Sequence, residues 1–510
     1  MKVIGAIDQG TQSTRFILYD LQLNIVESSQ VVLESKTPQA GWVEQDADEL
    51  WSTVKRAMEE TLAKARAAHP ALEMLGIGIT NQRETTVLWD TETGTPLAPA
   101  IVWSDSRTSG VCRAVQEAAG GDRDVFRPIT GLPISPYFSA YKLRWLLDNV
   151  PSVRVAAASG RAAFGTVDSW LLYRLTGGAE RKGVHVTDVT NACRTSLMDI
   201  ATLEWDQSLI AKFGLEQLRF PRILSSAEIY GHVAGGPAKG VAIAGCLGDQ
   251  QAATLGQLCR KHEAKNTYGT GCFMLLVTGE EPVPSTHGLL TTVAYRLGPQ
   301  APCVYALEGA VAVAGQGLSW LRDNLGLFAD VADCEALAAT VPNAGGVYFV
   351  PAFGGLLAPW WRGDARGLLA GLSQHSTKAH IVRATLEAMC FQTRDVLDAM
   401  RADADCSELG CLSVDGGAAR NNLMLQLQAD ILQTPVRRPS NLETTSAGAA
   451  IAAGVGLGLW TPEQAFEQLR SDQGTVLFEP RISAEDAATR HRSWKMVVER
   501  SFGLDALSQF

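Results

Sequence analysis

The chain has no long apolar run. Its most extended small-residue stretch, Ser446 to Trp460, is rich in alanine and glycine. That is shorter than the roughly 20 residues a membrane span needs, so it reads as a buried helix. The opening run Met1-Lys2-Val3-Ile4-Gly5-Ala6-Ile7 meets Asp8 before a secretory apolar region can form, so a signal peptide is not expected. Cysteine is present ten times but never as a CxxC pair, and the eight histidines show no HxxxH spacing. Free thiols in a reducing, cytoplasmic compartment are expected, and a structural zinc site is not. Positive charge is in deficit: 44 Lys+Arg face 54 Asp+Glu, for a net charge of −10. This argues against a broad nucleic-acid or anionic-membrane surface. No GxxxxGK[ST] occurs, which excludes a P-loop nucleotide site. No low-complexity linker divides the chain.

A length of 510 residues, 46% hydrophobic and 19% charged, suits a soluble protein with more than one core. Single cores stop growing at roughly 250–300 residues, so two domains are expected, 1–250 and 251–510. Strand and helix patterns alternate, which is the α/β class. Met1 to Asp20 reads as strand, Gly-containing turn, strand, and Asn266 to Gly279 repeats the device around Gly269-Thr270-Gly271. An amphipathic helix is predicted from Asp48 to Ala68 by Leu50, Val54, Met58 and Leu62. Strands are predicted at Met74–Ile79, Thr85–Trp89, Gly240–Leu247 and Cys411–Val414, and helices from Asp249, over Glu308–Leu325, over Ala379–Arg401 and over Asn421–Leu432.

Five segments could carry chemistry. Asp8-Gln9-Gly10-Thr11-Gln12-Ser13-Thr14 ends an apolar strand with a carboxylate and turns on Gly and hydroxyl residues. Such a turn either presents donors to phosphate oxygens, with Asp8 placed to hold Mg²⁺, or is an ordinary hairpin. Tyr268-Gly269-Thr270-Gly271 can be a matching clamp from the other half. Asp415-Gly416-Gly417-Ala418-Ala419-Arg420-Asn421 follows a strand with glycines that let a backbone approach a ring or sugar, or simply caps a helix with Asn421. In Asn81-Gln82-Arg83-Glu84, Arg83 offers only donors and Glu84 only acceptors, a pair able to bracket two hydroxyls. A surface ion pair is the alternative. Asp249, in Gly248-Asp249-Gln250-Gln251, can accept the proton of an attacking alcohol at a helix start, or be a plain cap.

In order along the chain, these segments resemble the FGGY carbohydrate kinases, from Ile4 to about Trp460. The match extends through Tyr137-Phe138-Ser139-Ala140-Tyr141-Lys142 and on to Asn149, through HVTDVTNACRT, and from Gly367 to Glu387. The resemblance implies two ribonuclease-H-like domains of the actin/Hsp70/hexokinase type closing on ATP and Mg²⁺ in an interdomain cleft. The N-terminal domain would bind the polyol and the C-terminal domain the nucleotide. It further implies that Arg83, Glu84, Tyr137, Asp249 and Gln250 bind a small neutral polyol, glycerol first. Trp103 and Phe273 would pack on its carbon face, with Asp249 as base and Asp8 with Asp249 around the magnesium. Thr11, Gln12, Ser13, Arg15, Thr270, Gly315, Ser319, Gly417 and Asn421 match nucleotide positions. Other small polyols, ketoses, or a non-catalytic ATP-binding role on the same fold are the alternatives, and a homo-oligomer, dimer or tetramer, is the expected assembly. Four features depart from the family's usual pattern: Gln12 for a second Thr, Ser104 for a Gln, Ser319 for a nucleotide-contacting Gln, and Gly354 to Arg362 in place of F-T-G-L-G-A-P-Y-W-D. The effector loop of some members is not matched at Gly235-Gly236-Pro237.

Overall fold

The structure, a computed structural model, describes residues 1–406, 409–470 and 474–509. Two large mixed sheets organise it. The first joins β1 (Lys2–Gln9), β2 (Ser13–Tyr19), β3 (Ile25–Val32), β4 (Glu73–Asn81), β5 (Gly231–His232) and β6 (Ala242–Gly248) in the order β5-β6-β4-β1-β2-β3. The second joins β7 (Ala264–Tyr268), β8 (Cys272–Gly279), β9 (Leu290–Tyr295), β10 (Val304–Val311), β11 (Leu412–Asp415), β12 (Val436–Arg438) and β13 (Val476–Phe478) in the order β9-β10-β8-β7-β11-β12-β13.

The pairing repeats. In each sheet one strand runs antiparallel to its successor across a Gly-Thr turn and parallel to a later strand: β1 with β2 and β4, β7 with β8 and β11. A parallel neighbour requires a long crossover, and helices supply it. Helix α1 (Ala47–Ala68) links β3 to β4; its buried stripe Leu50, Val54, Met58 and Leu62 packs on the first sheet, and Asp46 caps it by accepting the amide N–H of Asp48 and Glu49. The helix after β6 is α2 (Asp249–Gly256), and α3 (Gly315–Asp323) follows β10. The 26-residue α4 (Lys378–Asp403) leads toward β11. Helix α5 (Asn422–Leu432) then precedes β12.

The small-residue run forms α6 (Thr444–Gly456), buried along most of its length. It lies against β1, β4, β6 and α2, so a helix from the second half covers the first sheet. A Cβ on Gly448 would sit 1.9 Å from the carbonyl oxygen of Ala252, so only glycine permits this approach. Among the described residues no helix is long and apolar enough to cross a membrane, and the nine cysteines other than Cys406 are free thiols.

One predicted element is wrong. The stretch Glu308–Leu325 is not one helix: Val304–Val311 is strand β10, held between β8 and β9, and the helix starts only at Gly315. Seven of the eight β10 residues are buried, with the eighth half-buried. A strand covered on both faces shows no alternation, and periodicity cannot tell such a run from a buried helix.

Candidate active site

The strand ends of both sheets open on one cavity of about 750 Å³. The first turn brings Asp8, Gly10, Thr11, Gln12, Ser13 and Arg15 to its wall, and the second brings Thr267, Gly269, Thr270 and Gly271. Each turn is closed by its own backbone: Gly10 N–H donates to Ser13 O at 2.9 Å, and Gly269 N–H to Gly271 O at 2.9 Å. The second turn is also pinned to the start of α3, where Ala314 and Gln316 N–H donate to Thr270 O at 2.9 and 3.0 Å.

Between the turns lies a buried ionic network. β4 ends at Asn81, and Glu84 then takes a left-handed φ of 59°. Ser139 and Thr86 hydroxyls hold it by donating to its carbonyl at 3.1 and 3.0 Å. A non-glycine residue in that region costs of order 1–3 kcal/mol and persists only where its surroundings enforce it. Arg83 pairs with Asp249 (Nε to Oδ1, 3.1 Å) and reaches both oxygens of Glu308 at 2.5 and 3.0 Å. Arg194 donates to Glu84 Oε1 at 2.6 Å and to Glu308 Oε1 at 3.2 Å. Burial works to raise the carboxyl of Glu308, yet Arg194 and Arg83 outweigh it and hold Glu308 at about 2. For Glu84 burial wins over the same two arginines and leaves it above the usual carboxylate range.

The walls are aromatic. Trp103 meets Tyr137 at 5.7 Å and Phe273 at 6.1 Å between ring centroids, both edge to face. The Trp103 indole N–H donates to Thr11 Oγ1 at 2.9 Å, tying the aromatic wall to the first turn. Burial pushes the Tyr137 phenol above its ordinary range, so it stays protonated and can donate. Asp8 and Asp249 both face the cavity, and burial lifts Asp8 to about 7 despite the nearby Arg15. No side-chain hydrogen bond holds Asp8 among the described residues. Arg83 and the Gln250 N–H both take Asp249 Oδ1 and leave Oδ2 clear, so Asp8 and Asp249 can offer oxygens to a hard cation such as Mg²⁺, which binds through few carboxylates and retains waters.

The structure therefore gathers Asp8, Thr11, Gln12, Ser13, Arg15, Arg83, Glu84, Trp103, Tyr137, Asp249, Gln250, Thr270 and Phe273 around one cavity. Gly315, Ser319, Gly417 and Asn421 do not line it. Gly315 lies directly behind the second turn, its N–H donating to Gly269 O at 3.0 Å. Asn421 caps α5 by accepting Met424 N–H at 2.8 Å, and Gly417 opens the short turn Gly417–Arg420. Gln316, one turn before Ser319, lines the cavity instead. Sequence reasoning missed Arg194, Glu308, Lys265 and Gln316. The signal for Glu308 was there: a single acid inside the apolar run Val304–Val311 demands a buried cation. Arg194 lies inside the matched segment HVTDVTNACRT, but nothing in its neighbours along the chain marked its partners Glu84 and Glu308.

A two-lobed molecule that faces two Gly-Thr turns across a cleft, with a carboxylate at its floor, is built as a nucleotide-dependent phosphotransferase of the actin/hexokinase kind. The chain belongs to the FGGY family of carbohydrate kinases, whose N-terminal domain matches residues 3–256 and whose C-terminal domain matches residues 264–457. It is 50% identical over 517 residues to a glycerol kinase of Arabidopsis thaliana, covering 99% of this chain and 98% of the relative. It is 51% identical over 504 residues to a glycerol kinase of Methylorubrum extorquens, covering 98% of each. The crystal structure of Plasmodium falciparum glycerol kinase with ADP superposes with a TM-score of 0.90 at 38% identity, covering 98% of both chains. The expected fold of two actin/hexokinase-like domains is thereby established.

Proposed function

We propose that this chain transfers the γ-phosphoryl group of ATP to a terminal hydroxyl of glycerol, giving glycerol 3-phosphate. The observation that carries this reading is the placement of Asp249, Arg83 and Glu84 in the same cavity as both Gly-Thr turns. Arg83 and Tyr137 donate to the polyol hydroxyls, Glu84 and Asp249 accept from them, and Trp103 and Phe273 cover the carbon face. Asp249 takes the proton of the attacking hydroxyl; its pairing with Arg83 at 3.1 Å keeps the carboxylate aimed until then. Thr11 and Thr270 hold the phosphates from opposite lobes. Asp8 and Asp249 would hold Mg²⁺, which would neutralise phosphate charge when bound. The transition state of phosphoryl transfer is loose, so positioning and charge supply most of the rate.

The network also accounts for a neutral substrate. Glu84 and Glu308 already pair with the charges of both arginines, so an added substrate charge finds no unpaired guanidinium to claim. The reading extends to a cytoplasmic enzyme assembled as a dimer or tetramer. A panel of polyols, ketoses and aldoses with ATP, read as coupled ADP release, tests it. Glycerol is expected to give the highest kcat/KM; a ketose or tetritol ahead of glycerol reassigns the substrate, and no acceptor-dependent release removes the kinase reading.

A further inference from the structure

Lys265, on β7, is fully buried, at 0% exposure. Its ammonium donates to Gln250 Oε1 at 2.5 Å, Thr267 Oγ1 at 3.0 Å and the carbonyl of Phe273 at 3.4 Å. No carboxylate pairs with it among the described residues. The charged groups facing it are Asp415 on β11, Glu308 on β10, Asp249 at the start of α2 and Arg83 after β4, with the thiols of Cys259 and Cys272 beside it. Burial pulls Lys265 down to about 8, so it stays a cation at neutral pH. A buried ammonium met only by neutral acceptors weakens the fold. Its chemistry therefore lies in what it does to its partners, and two of them, Gln250 and Thr267, line the cavity.

A lysine has donors only. Once it occupies Gln250 Oε1, the amide must present its N–H₂ elsewhere, and no protein group takes those protons among the described residues. Once it occupies Thr267 Oγ1, the hydroxyl hydrogen is likewise left to give. We propose that Lys265 is a positioning residue that sets the polarity of the cleft: it turns Gln250 into a donor for a polyol oxygen and Thr267 into a donor for the transferring phosphoryl group. This rests on the phosphotransfer reading above. It differs from a packing role in its consequence, because removing a lone buried charge relieves the fold while disordering the two donors.

The test compares the wild type with Lys265→Met and Lys265→Gln, and places Lys265→Met on a Gln250→Leu background. Both single variants are expected to fold, with a Tm equal to or above wild type. In Lys265→Met, kcat/KM for glycerol is expected to fall about 10- to 100-fold, the scale of a lost charge-assisted hydrogen bond. Lys265→Gln, which donates and accepts, is expected to lose less. On the Gln250→Leu background the additional rise in glycerol KM should nearly vanish, since residues acting through one another are not additive. Three results overturn the proposal: Lys265→Met turning over within about 3-fold of wild type, both variants failing to fold, or full additivity with Gln250→Leu. An inactive wild type overturns the phosphotransfer reading together with this one, whereas an active wild type beside an indifferent Lys265→Met overturns this one alone.

Discussion

The turn after β1 and the turn after β7 hold the same place in their sheets, yet they are built differently. Gly10-Thr11-Gln12 corresponds to Gly269-Thr270-Gly271. The first turn carries a long side chain, Gln12, at the cavity wall. The second is pressed against the next crossing of the chain, where a Cβ on Gly271 would lie 2.3 Å from the carbonyl of Val311. The flanking strands differ too. The first half puts a carboxylate, Asp8, before its turn; the second puts Thr267 at the matching position, with Lys265 behind it. A repeated frame thus sets two turns on one cavity, and the residues it carries put a carboxylate on one edge, where the proposed reading places the cation, and hydroxyl and ammonium donors on the other.

Breaking the acidic side should have the largest effect. Asp249→Asn keeps the shape of the side chain but removes the base, and kcat is expected to fall roughly 10²- to 10⁴-fold with glycerol KM little changed, as read by coupled ADP release. The network joining the halves comes next. Arg194→Met leaves Glu84 and Glu308 short of a partner, and a loss of about 3–5 kcal/mol is expected in urea unfolding. Acid supplies a check on sign. Glu308 is depressed to about 2 from an ordinary 4.5, so between these values the unfolded chain binds the extra proton. The stability it contributes is therefore full above about 4.5 and lost as pH falls toward 2. That acid dependence should flatten in Arg194→Met, and an identical pH profile would break the assignment.

Smaller effects sharpen the contrast between the turns. Gly271→Ala must displace the Val311 backbone, and is expected to cost about 1–3 kcal/mol with a raised KM for ATP. Gly10→Ala meets only the Ser13 carbonyl at 3.2 Å, and Gly269→Ala finds nothing nearer than 3.8 Å. Each should stay within about 1 kcal/mol by thermal unfolding. Equal damage from Gly10→Ala and Gly271→Ala would mean that the two turns are packed alike.

Much of this was legible in the sequence, because both turns, the strand-end pair Arg83-Glu84 and Asp249 are local features. Glycines and hydroxyl residues mark where the chain reverses, and apolar runs mark the strands that deliver them. What stayed hidden is non-local. Glu308 was assigned to a helix because a strand buried on both faces has no period to show. Arg194 and Lys265 act through residues 110 and 15 positions away along the chain, and only the fold brings them together. Gly417 and Asn421 illustrate the reverse: a strand-to-helix turn with Asn421 as cap was readable locally, and the structure shows Asn421 capping α5.

The most direct measurement is a crystal structure with glycerol and a non-hydrolysable ATP analogue bound together. The expected result is a terminal glycerol hydroxyl within about 2.6–3.2 Å of the Asp249 carboxylate, in line with a γ-phosphate that touches Thr11 from one lobe and Thr270 from the other. A polyol bound away from Asp249, or a triphosphate held by one turn alone, would contradict it.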